Sequence, residues 1–101
     1  MNTYRTTELD IIRWAEDRGI IMHSTAQAQA VKTLEELAEL FAAISKGDRD
    51  AQADAYGDIL VTLIIGCACA DMDLVECLNK AYDQIKDRKG RLGPDGVFIK
   101  D

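Results

Sequence analysis

The chain has 101 residues, a formal net charge of −6 and a hydrophobic fraction of 48 %. That is enough for one domain, residues 1–101, with a single core, and too apolar for a disordered chain. The acidic balance argues against a general nucleic-acid binder, which carries a basic face. It leaves a phosphate-bearing small substrate open, because divalent cations can stand between carboxylates and phosphates.

Pro94 is the one proline, so most of the chain is free to be helical. The odd cysteine count, Cys67, Cys69 and Cys77, fits free thiols buried as small hydrophobes in a reduced, cytoplasmic setting. The single histidine, His23, excludes a His-rich metal site and a Glu-x-x-His di-iron motif. Met1-Asn-Thr-Tyr-Arg5 is polar and does not read as a signal peptide.

Leu9, Ile11, Ile12 and Ala15 predict a first helix from Thr7, its N-cap, to about Arg18, with Gly19 as its stop. Trp14 on that helix reads equally as core packing or as a nucleobase contact. Ile20 to His23 is a short apolar connector, and Ser24 with Gln27 has capping-box form. A long helix then runs to Lys46, stopped by Gly47. Val31, Leu34, Leu37, Ala38, Leu40, Phe41 and Ile44 fill half of its circumference; Gln29, Lys32, Glu36 and Glu39 share one polar stripe. Alone, that stripe reads as a solvated face with a Lys32–Glu36 pair.

A third helix spans about Asp50 to Ala70, and its second half, Ile59 to Ala70, bears no charge. Those twelve residues are too few to cross a bilayer, so no membrane partner is expected. A helix apolar all round should be buried all round, which so small a chain achieves only by sharing it between subunits. Asp54 and Asp58 lie one turn apart at the mouth of this run, and a carboxylate there needs a counter-charge or a metal. Gly57 beside them would admit a close neighbouring helix. Asp73 with Glu76 caps a fourth helix, about Leu74 to Arg88. Lys86, Arg88, Lys89 and Arg91 cluster at its end, either matching the helix dipole or anchoring substrate phosphates. The glycine-rich stretch from Gly90 to Asp101 predicts an extended arm or a small hairpin.

The second and third helices should pack antiparallel, so that Glu36 and Glu39 face Asp54 and Asp58. Such an all-oxygen set suits Mg²⁺, with Mn²⁺ able to substitute. Glu35, Glu36 and Lys32 are the catalytic candidates, with Glu35 or a metal-bound carboxylate taking a proton from the attacking water. Lys86, Arg88 or Arg91 would steady the leaving group.

Lys32-Thr-Leu-Glu-Glu-Leu-Ala-Glu-Leu40 followed by Tyr56-Gly-Asp58-Ile-Leu-Val resembles the MazG-type all-α nucleoside triphosphate pyrophosphohydrolases, especially short phage- and mobile-element-type members. The resemblance extends from the Trp14 helix to Asn79 through Gly90, and to the later Gly96-Val-Phe98. It implies a four-helix, bundle-like fold and Mg²⁺-dependent cleavage between α- and β-phosphates. It also implies a dimer or dimer-of-dimers with sites between subunits. Glu36, Glu39 and Asp58 match the family's ExxE and final Asp, but Ala55 stands where the family has Glu, leaving Asp54 to substitute. Asn79, Asp83 and Lys86 are implied at the metal-bound phosphates, and Trp14, Gln29 and Tyr82 at the base or sugar. The base, including a purine dNTP such as dGTP, stays open. The rival readings are a dUTPase-like diphosphatase and a non-catalytic helical or antitoxin-like oligomer.

Overall fold

The computed structural model describes residues 2–101 as five helices followed by a two-stranded antiparallel hairpin. Helix α1 (Tyr4–Asp17) starts one turn earlier than the sequence suggested. Thr3, not Thr7, is its N-cap: its hydroxyl accepts from the Thr6 amide while the Thr6 hydroxyl accepts from the Thr3 amide. Gly19, at φ 73°, takes the left-handed conformation that ends α1. The expected connector Ile20–His23 is itself a single helical turn, α2, which makes five helices from the expected four.

Helix α3 (Ala26–Lys46) is capped by Thr25, which accepts from the Ala28 amide, rather than by a Ser24–Gln27 box. Gly47, at φ 70°, stops it as expected. Helix α4 (Arg49–Cys69) begins at Asp48, whose carboxylate accepts from the Ala51 amide. The short Gly47–Asp48 link makes α3 and α4 an antiparallel pair, and this pair is the main packing of the fold. Gln52 donates to the Ala43 carbonyl near the link. Thr33 and Thr62 share a 2.7 Å hydroxyl contact midway. At the far end the missing side chain of Gly66 admits Gln29, whose Cβ lies 3.3 Å from where a Gly66 Cβ would stand. The glycine of close approach is therefore Gly66; around Gly57 nothing lies within 4 Å of a Cβ position.

Helix α1 packs across α4, and the small core gathers Ala15, Ala43, Ala55, Ile64 and Ile65. By length and composition α4 would also suit a membrane span. Asp50, Asp54 and Asp58 within it, and α3 packed along it, fit a core helix instead. Its apolar run is not covered all round, since Leu60 and Leu63 remain exposed.

Helix α5 (Leu74–Ile85) starts at Asp73, which accepts from the Val75 amide, and ends about a turn before the expected Arg88. It has a strongly amphipathic sequence, yet none of its residues is buried, and α4 is the one helix it packs against beyond marginal contact. The hairpin pairs β1 (Gly90–Leu92) with β2 (Phe98–Lys100), Leu92 opposite Phe98 and Arg91 opposite Ile99. Gly96, at φ 85°, turns it, and Asp95 accepts from the Val97 amide. The Phe98 ring and the Ile99 carbonyl lie over Gly90, where a Cβ would overlap the carbonyl oxygen. No helix packs substantially against the hairpin. Helix α5 and the hairpin therefore form an arm. The radius of gyration, 15.9 Å, exceeds the roughly 13 Å of a compact chain this long.

Candidate active site

Helix α3 turns Gln29, Thr33, Glu36, Leu40 and Ala43 toward α4, so Glu36 does not lie on a solvated stripe. Its residue is only 6 % exposed. Lys32 Nζ stands 3.2 Å from Glu35 Oε2 and 3.6 Å from Glu36 Oε1, bridging two carboxylates rather than forming the single expected pair. The hydrogen bond that Lys32 donates to Glu35, then the Glu35 and Glu36 charges, raise the Lys32 pKa, so its ammonium stays charged. Glu36 Oε2 is buried without a hydrogen-bond partner. A buried carboxylate oxygen left in this way is costly, and it marks a place for a cation or a donor from a ligand.

The other carboxylates are arranged differently from the expectation. On α4 the residues facing α3 are Gln52, Ala55, Thr62 and Gly66, with Ala55 fully inside the interface. Asp54 and Asp58 lie to one side of that line and border a groove of about 400 Å³ between α4 and α1. Tyr4, Thr7 and Glu8 form its other wall, and Gly57 its open floor. Glu39 and both aspartates are exposed. Among the described residues, no group of three or more His, Cys, Asp or Glu is arranged to hold a metal ion. Asp54 thus does not lie on the α3-facing side where the family's glutamate would stand.

Gln29 is half-buried, donating from Nε2 to Ser24 Oγ at 3.1 Å. Trp14 is 46 % exposed, so the core reading fails within one chain; the Arg18 guanidinium covers its ring at 4.4 Å. Asn79, Tyr82 and Asp83 ride on α5, Lys86 caps its end, and Arg88 and Arg91 follow in the arm; all are exposed. Asp83 pairs with Lys86 at 3.5 Å. Because α5 barely touches α3, one chain does not bring these groups to Glu36.

One charged group was missed. Glu8 is 1 % exposed and fully satisfied, accepting from Tyr4 Oη at 3.0 Å and Arg5 Nη1 at 2.6 Å. Burial first, then the Glu8 hydrogen bond, push the Tyr4 phenol up to about 12. Arg5 also donates to Asp73 Oδ1 at 3.0 Å, tying α1 to the cap of α5. Burial alone would raise the Asp73 carboxyl; Arg5 and the Val75 amide outweigh it and hold it below the usual value. Glu8 was legible in principle: it lies four residues before Ile12 and seven before Ala15, on their face, with Arg5 one turn earlier. The three cysteines are free and half-buried, and burial with the neighbouring Cys77 pushes the Cys67 thiol up.

Residues 19–85 match the family model described as phosphoribosyl-ATP pyrophosphohydrolase. An uncharacterized 18.2 kDa protein from the rep-hol intergenic region of Haemophilus phage HP1 (strain HP1c1) is 39 % identical over 56 residues. That match covers 55 % of this chain and 34 % of the phage protein, so the aligned stretch is about a third of the relative's length. No solved structure matches. The matched stretch runs from α2 to the end of α5 and carries Lys32, Glu36, Glu39 and Asp58, and the chain belongs to the phosphoribosyl-ATP pyrophosphohydrolase family.

Proposed function

We propose that this chain is a Mg²⁺-dependent pyrophosphohydrolase of (deoxy)nucleoside triphosphates, releasing a nucleoside monophosphate and pyrophosphate and so shaping or cleaning the nucleotide pool. Family membership supports nucleotide pyrophosphohydrolysis. The choice of nucleoside triphosphates as substrate rests on the sequence resemblance to short MazG-type enzymes. The observation that carries the reading is the buried, unpartnered Glu36 Oε2 beside Lys32.

Glu36, Glu39 and Asp58, supported by Asp54, would hold Mg²⁺ or Mn²⁺. The bound ion would neutralise phosphate charge, polarise the attacked phosphorus and lower the pKa of a water. Water adds to the α-phosphorus as the bond to the bridging oxygen of the β-phosphate breaks, and Glu35 or Glu36 accepts the water's proton. Lys32, kept charged between them, holds phosphate oxygens. Trp14, Gln29 and Tyr82 contact base and sugar; Asn79, Asp83, Lys86, Arg88 and Arg91 serve the phosphates. Since α5 does not reach α3 in one chain, the arm residues enter the site from a partner subunit in a dimer or dimer-of-dimers. The setting is the cytoplasm, that of the host if the gene is phage-borne.

The test is a panel of NTPs, dNTPs including dUTP and dGTP, and phosphoribosyl-ATP with Mg²⁺. Monophosphate and pyrophosphate should appear with at least one, and their absence with all would sink the proposal. Glu36→Gln should lower turnover about 100-fold or more. A non-catalytic oligomer is the second reading; among the described residues no group of three or more His, Cys, Asp or Glu is arranged to hold a metal ion. A Mn²⁺-induced thermal shift that disappears in Glu36→Ala would set it aside.

A further inference from the structure

A pair of thiols spans the turn between α4 and α5. After Cys69 the chain reverses over Ala70, Asp71 and Met72, with Asp71 in the left-handed region at φ 56°. The Met72 amide donates back to the Cys67 carbonyl at 2.8 Å, and the Cys77 amide donates to the Asp73 carbonyl at 3.0 Å. Ile64, Met72 and Asp73 line one cavity of about 220 Å³ between α1, α4 and the start of α5. Cys67 lies one turn after Ile64 and Cys77 one turn after Asp73, so both project from helix faces that border this junction. There the two thiols come within hydrogen-bonding reach of each other, and after burial Cys77 is the largest influence on the Cys67 thiol. Cys69, about 200° round α4 from Cys67, points to another side of the helix.

Distance along the chain would give a different pairing. Cys69 is eight residues from Cys77, whereas Cys67 is ten. Loop closure alone would join Cys69 to Cys77 at least as readily. A preference for Cys67 would therefore be imposed by the fold. Cys77 also lines an open cavity of about 450 Å³ beside Asp71, Glu76 and Lys80, wide enough for a small neutral oxidant.

We infer that Cys67 and Cys77 form a redox pair, which a peroxide closes into a reversible disulfide joining α4 to α5. The Cys77 thiolate attacks one oxygen of hydrogen peroxide. The O–O bond breaks, Cys77 becomes a sulfenic acid, and the leaving hydroxide takes up the thiol's proton as water. The Cys67 thiolate then attacks the Cys77 sulfur. The S–O bond breaks, and the departing hydroxide takes the proton that Cys67 gave up. Two thiols and one hydrogen peroxide thus give one disulfide and two waters, and a dithiol reductant reverses the bond. In a reducing cytoplasm such a bond is transient, which suits a sensor rather than a structural staple. Its effect is mechanical. Helix α5 meets its own chain mainly at this junction, where the Arg5–Asp73 ion pair is already a tie, and the disulfide adds a covalent one.

The test oxidises the reduced full chain with hydrogen peroxide, traps free thiols with N-ethylmaleimide and reads intact mass. Wild type should lose two hydrogens and take up one maleimide instead of three, and dithiothreitol should restore three. Cleavage before Asp71 or Asp73 should leave the two sides joined until reduction. Cys69→Ser should close the bond at the wild-type rate, while Cys67→Ser and Cys77→Ser should slow closure at least tenfold. Circular dichroism checks that each variant folds, and Cys67→Ala or Cys77→Ala replaces one that does not. Amide exchange over Leu74–Ile85 should slow at least about threefold on oxidation. Three maleimides after peroxide, closure through Cys69 in Cys67→Ser, a disulfide between copies, or unchanged exchange in the oxidised chain would each overturn the inference. Bond formation is read without substrate, so its outcome and that of the hydrolase assay are separate.

Discussion

The α3–α4 pair and the C-terminal arm use similar side chains to opposite ends. In the pair, Ala43, Ala55 and Gly66 let two backbones approach, and Thr33 and Thr62 satisfy each other inside the seam. In the arm, Leu78, Tyr82 and Ile85 form as regular an apolar stripe, yet all three remain exposed. The lesson is that amphipathic spacing specifies a face to be covered, not which chain covers it. Small residues at the α3–α4 seam choose an internal partner; large ones on α5 and the hairpin stay exposed in the single chain.

The largest expected contrast comes from truncating one side chain in each region. Ile64→Ala should cost about 2–5 kcal/mol, as for a filled core site, whereas Leu78→Ala should cost well under 1 kcal/mol under conditions where the chain is monomeric. Denaturant titration reads both, and equal costs would mean that the arm is packed against its own body. A smaller effect separates the tether from either region. Asp73→Ala removes the α5 cap and the Arg5 partner together, and should lower stability by about 1 kcal/mol at neutral pH. Its folded carboxyl lies below the ordinary value of 3.8, so wild type keeps this contribution above that pH and loses it as pH falls through the folded value. The two proteins should converge in acid. The smallest effect lies at the alkaline end. Tyr4 is raised from 10.0 to about 12, so its contribution is complete below pH 10 and lost as pH rises toward 12. Tyr4→Phe should flatten that decline in an alkaline melting series.

The helices were legible because their punctuation is strong: Gly19, Gly47 and Asp73 act where the sequence placed them. Boundaries slipped where two hydroxyl residues competed for a cap, as with Thr3 and Thr7 or Ser24 and Thr25. The site was legible in part. Glu36 reads on a wheel as the edge of a polar stripe, and only the position of α4 turns that edge into an interior. Asp54 reads as near neighbour to Ala55, but one residue on a helix is a 100° rotation, and that rotation faces it toward α1. Glu8 was passed over because a charge on an apolar face was discounted, though Arg5 and Tyr4 sit one turn away to satisfy it.

Gly90 carries a consequence for which substitutions the chain can accept. Even the methyl group of alanine there would collide with the Ile99 carbonyl and the Phe98 ring. Every other side chain starts from that same carbon, so position 90 has no conservative replacement. The same addition at Gly57, on the floor of the groove between α4 and α1, meets no neighbouring atom. Mutational scanning of the two glycines would therefore give opposite profiles: uniform intolerance at 90 wherever the hairpin matters, and at 57 a tolerance limited by whatever the groove must admit.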